Sequence, residues 1–129
     1  MCIRDSVIVV HGNDGLDEIS ITDDSSVSEL KDGEIKNYEI SPKDFGLSYG
    51  KFESIKASSP QESFEKVSLA FAGREGSVQD MIAINSAAAL KLSGIVESMK
   101  DGVELSKSAM NEGLAQSKLE SYVKMSNNL

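Results

Sequence analysis

The sequence has one cysteine, one histidine, no tryptophan, two prolines and a deficit of positive charge, and each shortage excludes something. A lone Cys2 leaves no internal disulfide and no cysteine-based zinc cluster, and a lone His11 leaves no multi-histidine metal site. A nucleophile–base triad would need His11 as its base, and nothing nearby in the sequence supports one. With 13 Lys and Arg against 21 Asp and Glu, the formal net charge is -8. Nucleic acids and anionic membranes are bound by clustered positive charge, so neither is an expected partner. No apolar run approaches the roughly 20 residues of a membrane span, and the amino terminus lacks the basic-then-apolar order of a signal peptide. The expected location is the cytoplasm. The P-loop, the dinucleotide fingerprint and any basic-aromatic patch are missing as well.

What remains is an ordinary globular composition, 40% hydrophobic and 26% charged over 129 residues, within the size of one domain. Val7 to Val10 is a run of four apolar β-branched residues. Such a run predicts a central strand buried on both faces, as in a mainly parallel sheet covered by helices. Met1 to Ser6 fits no element in front of it and is read as a foreign leader, apart from residues 7–129. The strand is followed by His11-Gly12-Asn13-Asp14-Gly15-Leu16-Asp17-Glu18, a loop in which two glycines supply positive φ. In open α/β sheets, ligands gather at the carboxyl ends of strands.

From Glu18 to Ile40 the pattern is short and extended, with Ile19 and Ile21 alternating. Val27–Leu30 and Ile35–Ile40 flank Asp32-Gly33, a hairpin signal because a type I′ turn needs positive φ at both central positions. Ser41–Ser58 reads as a connecting loop with at most one short element. Beyond it the chain is helical. Ser59, Pro60 and Glu62 mark one helix start, with Phe64, Val67 and Phe71 on one face and Gly73 at the end. Val78–Leu92 is apolar around most of its circumference and predicts a buried helix. Ser98 and Asp101 cap a third helix with Met99, Val103 and Met110 on its apolar stripe. Leu119, Tyr122 and Val123 belong to a last one, with fraying expected from Ser126.

Among these residues Asp17 and Glu18 carry the clearest chemistry. Adjacent carboxylates on a loop offer hard oxygens to magnesium, which takes oxygen ligands and commonly shares its shell with substrate phosphates and water. Adjacent strand residues point to opposite faces, so both acids could serve one ion only if Asp17 still belongs to the loop. Two solvated surface acids are the plain alternative. His11 could hydrogen-bond a substrate or be satisfied by loop backbone. Asn85, the polar exception in the apolar helix, is read as a structural anchor, and Asp80 as a favourable charge at the start of that helix.

The stretch Val9-Val10-His11-Gly12-Asn13-Asp14-Gly15-Leu16-Asp17-Glu18-Ile19-Ser20 resembles a signature of anthranilate phosphoribosyltransferases. So does the block Glu29–Ile35, with Tyr38 and Ser41-Pro42-Lys43-Asp44-Phe45-Gly46-Leu47 after it. The Asn85 helix with its alanines and Gly102-Val103-Glu104-Leu105 are similar in order and spacing. The resemblance implies that residues 7–129 are the carboxyl-terminal part of a phosphoribosyltransferase α/β domain. The intact enzyme would join anthranilate to the phosphoribosyl group of phosphoribosyl diphosphate in tryptophan biosynthesis. Asp17 and Glu18 would then be ligands of Mg2+, with no catalytic residue in this part of the chain. The family's helical dimerisation region, its Gly-rich loop and its main anthranilate contacts would lie upstream, so a homodimer is implied for the intact protein and no activity for this piece alone. A pyrimidine nucleoside phosphorylase-like protein shares the architecture, and a non-catalytic metal- or phosphate-binding module is the reading from a different class.

Overall fold

The computed structural model describes residues 6–128, so the expectation of a foreign leader lies, for residues 1–5, outside the described residues. Three strands form one sheet in the order β1-β2-β3: β1 Ser6–Gly12, β2 Ser25–Lys31 and β3 Glu34–Ile40. Ser6 is the first residue of β1, opposite Lys31. β2 and β3 make the expected hairpin. Asp32 (φ 52°) and Gly33 (φ 80°) both adopt the positive φ that the turn requires, between Lys31 and Glu34 in register.

The expected parallel sheet with a central Val7–Val10 strand is corrected. Both strand pairs are antiparallel, and β1 lies at one edge of the described sheet. The connection from β1 to β2 holds no crossover helix, and without one a chain returns antiparallel. Helices cover one face of the sheet. On the other, Val9 and Ile35 are 61% and 70% exposed. A β-branched run reports strand propensity, whereas burial of its two faces depends on elements far away in the chain. Ile19 and Ile21 are not in a strand, but both are buried at the centre of the core. Ser41–Ser58 holds two short elements where at most one was expected, a 3₁₀ turn Pro42–Phe45 and α1 Phe52–Ile55. Ser41 caps the first in a full capping box with Asp44.

The helical half is as the sequence predicts: α2 Pro60–Phe71, α3 Ser77–Leu92, α4 Met99–Asn111 and α5 Leu114–Ser126. Ser59 caps α2 by accepting the Glu62 N–H, and Ser98 caps α4 by accepting that of Asp101. On α2, Val67 and Phe71 of the expected stripe are half-buried, with Phe71 against the core, and Ala70 beside them is fully buried, whereas Phe64 is 58% exposed. α3 is the hub. Its Ala83, Ile84 and Ala87 join Ile19, Ile21, Leu47, Val103 and Met110 in one core, where each large aliphatic side chain contributes roughly 1.5–3 kcal/mol. Asp80 in the first turn of α3 pairs with Lys107 of α4 at 2.6 Å. At the other end of α3, Lys91 pairs with Glu29 of β2 at 2.9 Å. The Tyr38 hydroxyl also donates to Glu29, and burial together with that carboxylate pushes the tyrosine up to about 12.

α3 and α4 cross at Gly102, where a Cβ would sit 2.8 Å from both the Cα and the Cβ of Ala87. Helical Gly→Ala normally stabilises, but here the obstacle includes backbone, which cannot swing aside. Gly102→Ala is therefore expected to lower stability by about 1–3 kcal/mol, measured as a lower urea midpoint with unchanged slope.

Candidate metal site

The site is the loop between β1 and β2. His11 still belongs to β1, opposite Ser26, and the loop begins at Asn13. It opens as a tight turn in which the Gly15 N–H donates to the Gly12 carbonyl at 2.9 Å and the Gly12 N–H to the Leu16 carbonyl at 2.8 Å. A Cβ at position 12 would lie 2.6 Å from Asp14 Oδ1 and 3.1 Å from the Ser20 Cβ, so a larger residue there would have to displace the Asp14 carboxylate. Gly15 takes φ 96°, a region that costs other residues steric energy.

Asp14 ties this turn to the far side of the loop. Its Oδ1 accepts the Leu16 N–H at 3.2 Å, an Asx turn, and its Oδ2 accepts the Ser20 hydroxyl at 2.5 Å and that of Thr22. Ser20 is wholly buried, its Oγ accepts the Thr22 N–H, and its own N–H donates to Ser25 Oγ, each at 2.9 Å. Burial pushes the Asp14 carboxyl up, but the hydroxyls of Ser20 and Thr22 and the Leu16 amide outweigh it and hold the group below the usual carboxylate range. Asp14 is therefore an ionised anchor at neutral pH.

Asn85 of α3 closes the loop from beneath. Its Oδ1 accepts the Ile19 N–H at 2.9 Å, and its Nδ2 donates to the Ile19 carbonyl at 2.9 Å and to the Met81 carbonyl at 3.0 Å. The anchoring role expected for Asn85 thus has a specific object, the backbone beside Glu18.

Between these fastenings stand Asp17 and Glu18. Both are exposed and both lie in the loop, not in a strand, so the alternation that sends neighbouring strand residues to opposite faces does not apply to them. Among the described residues neither carboxylate takes part in a hydrogen bond or an ion pair. Their oxygens are hard donors without competing partners, which suits magnesium. Among the described residues no group of three His, Cys, Asp or Glu side chains could hold an ion; any further ligands would be water or substrate oxygens, as is usual for this metal. His11 is exposed on the sheet face that the helices leave open, with no hydrogen bond among the described residues. Sequence reading missed Asp14. An Asp followed by Gly at the head of a loop is an Asx-turn signal, but its hydroxyl partners six and eight residues on are visible only in three dimensions.

No helix of the described residues is long and apolar enough to cross a membrane. Over 120 residues the chain is 42% identical to the anthranilate phosphoribosyltransferase of Ruthia magnifica subsp. Calyptogena magnifica, covering 93% of this chain and 35% of that protein. The crystal structure of the anthranilate phosphoribosyltransferase from Thermus thermophilus superposes with a TM-score of 0.82 at 29% identity, over 92% of this chain and 35% of that one. The Saccharomyces cerevisiae enzyme in complex with PRPP and Mg has the same fold, with a TM-score of 0.83 at 23% identity, covering 95% and 35% of the two chains. The chain thus spans about a third of the length of the relatives that it matches. The model described as the glycosyl transferase family, a/b domain, matches residues 2–116, most of the sequence, and the chain belongs to that family.

Proposed function

We propose that this chain is the magnesium-binding part of an anthranilate phosphoribosyltransferase, an enzyme that transfers phosphoribosyl from phosphoribosyl diphosphate to the amino group of anthranilate and releases diphosphate. The observation that carries the reading is the fastened loop with two carboxylates, Asp17 and Glu18, unengaged among the described residues, in a chain 42% identical over 120 residues to such an enzyme. The yeast enzyme of the same fold, solved as a complex with PRPP and Mg, supports the metal and the donor substrate. When bound, the metal offsets negative charge gathering on the leaving diphosphate. The part of this chain is to hold and orient it: Asp17 and Glu18 supply the oxygens, and the fastened backbone keeps them in place. His11, exposed just ahead of the loop, is available to hydrogen-bond a substrate. In the same reading residues 7–129 are the carboxyl-terminal part of the α/β domain of a cytoplasmic enzyme, whose helical dimerisation region and Gly-rich loop lie upstream.

The test is a hybrid in which this chain replaces the corresponding third of the Ruthia magnifica relative. Consumption of anthranilate is expected when phosphoribosyl diphosphate and magnesium are supplied, and loss of activity when the metal is chelated. A hybrid that melts cooperatively but turns over no anthranilate would refute the reading. Phosphorolysis of a pyrimidine nucleoside by the same hybrid would replace it with the phosphorylase alternative.

A further inference from the structure

Asp14 and Asn85 fasten the two sides of the segment that carries Asp17 and Glu18. Asp14 fixes Leu16 through its amide and ties it to the buried Ser20. Asn85 fixes Ile19 through both its N–H and its carbonyl. The segment between has only two residues, and its backbone is therefore set from both ends. Neither anchor uses an atom of Asp17 or Glu18, so the two carboxylates are oriented without being given a partner that a metal must displace. Ligand oxygens fixed in place beforehand lose less freedom when an ion arrives.

We propose that Asp14 and Asn85 are positioning residues of the metal site, which set the divalent-cation affinity of Asp17 and Glu18 by fastening the Leu16–Ile19 backbone. This rests on the assignment of Asp17 and Glu18 as metal ligands. The anchors differ in kind: Asp14 acts within the loop, whereas Asn85 ties the loop to α3, which through Gly102 and Ala87 is locked to α4.

The test uses the full chain, with Mn2+ as a paramagnetic probe and inorganic diphosphate present, read by selective broadening of the amide resonances of residues 16–19. In the unaltered chain this broadening is expected to saturate, giving an apparent Kd. Asp14→Ala and Asn85→Ala are each expected to raise that Kd by about tenfold or more, although both carboxylates remain. Asp14→Asn, which keeps an acceptor oxygen for the rotatable hydroxyls, is expected to recover much of the loss. Gly102→Ala controls for lost stability, since it strains the α3–α4 crossing without touching the loop, and it should leave the Kd unchanged at a temperature where it is folded.

If broadening is absent or scattered over the acidic surface in the unaltered chain, or survives Asp17→Ala with Glu18→Ala, the metal assignment falls and takes this proposal with it. If broadening depends on Asp17 and Glu18 but is unchanged by Asp14→Ala and Asn85→Ala, the positioning role alone is overturned. A Kd that rises equally in Gly102→Ala overturns it too. Should Asn85→Ala fail to fold, Asp14→Ala and Asp14→Asn decide the outcome.

Discussion

In the hybrid enzyme, Asp17→Ala and Glu18→Ala are each expected to lower kcat by on the order of a hundredfold or more and to raise the magnesium concentration needed for half-maximal rate. The melting temperature should hardly move. Both side chains are exposed and make no hydrogen bond or ion pair among the described residues, so their removal leaves no buried group unsatisfied. Substitutions of exposed residues outside such features usually change stability by within about 0.5 kcal/mol. This separation of readouts distinguishes a ligand from a structural acid. Asp14, whose carboxylate is engaged by two hydroxyls and an amide, would show a loss of stability that Asp17 and Glu18 do not. An unchanged rate and magnesium dependence in both acid variants would withdraw the metal assignment.

The 129-residue chain alone is expected to show no phosphoribosyl transfer, even with anthranilate, phosphoribosyl diphosphate and magnesium supplied. The relatives that it resembles are about three times as long. Holding a nucleophile against the ribosyl carbon at attack distance accounts for several kcal/mol of such a barrier, on the order of 7–11 for well-oriented pairs. The loop described here supplies two carboxylates not engaged in hydrogen bonds among the described residues, and no cationic group of its own. Without a metal, those carboxylates repel a diphosphate, and the net charge of -8 does nothing to attract one. Anthranilate is fluorescent and its consumption can be followed directly, with the hybrid as positive control. Turnover by the short chain would show that the groups needed for transfer lie within these residues.

Much of this arrangement is legible in the sequence because its signals are local. Ser59 and Ser98 cap helices, Asp32-Gly33 turns a hairpin, and the largely apolar circumference of Val78–Leu92 marks the hub helix, each within a few residues of chain. The same local signal at Ser41-Pro42-Lys43-Asp44 produces a capped 3₁₀ turn, in a connecting loop expected to hold at most one short element and found to hold two. Burial is the property that fails to show. Val9 and Phe64 have the character of core residues and are 61% and 58% exposed, because what would cover them is not a matter of local spacing. Ile19 and Ile21 alternate as in a strand, yet they are buried without strand pairing, since the bonds that a ladder would supply to Ile19 come instead from Asn85. The carboxylate pair is legible as a motif. Its fastening is not, because it depends on a contact between residues 66 positions apart.

That separation has a kinetic meaning. The β2–β3 hairpin closes through a two-residue turn, an event of microseconds, whereas the bond from Ile19 to Asn85 requires the chain to bring α3 back across 66 residues and bear the entropy of closing a loop of that length. A folding intermediate with its hairpin and helices formed but α3 undocked would resemble the native protein in secondary structure while holding its two carboxylates on a slack tether. On the proposed reading, full orientation of the two carboxylates awaits the docking of α3 and is lost when that helix lifts away.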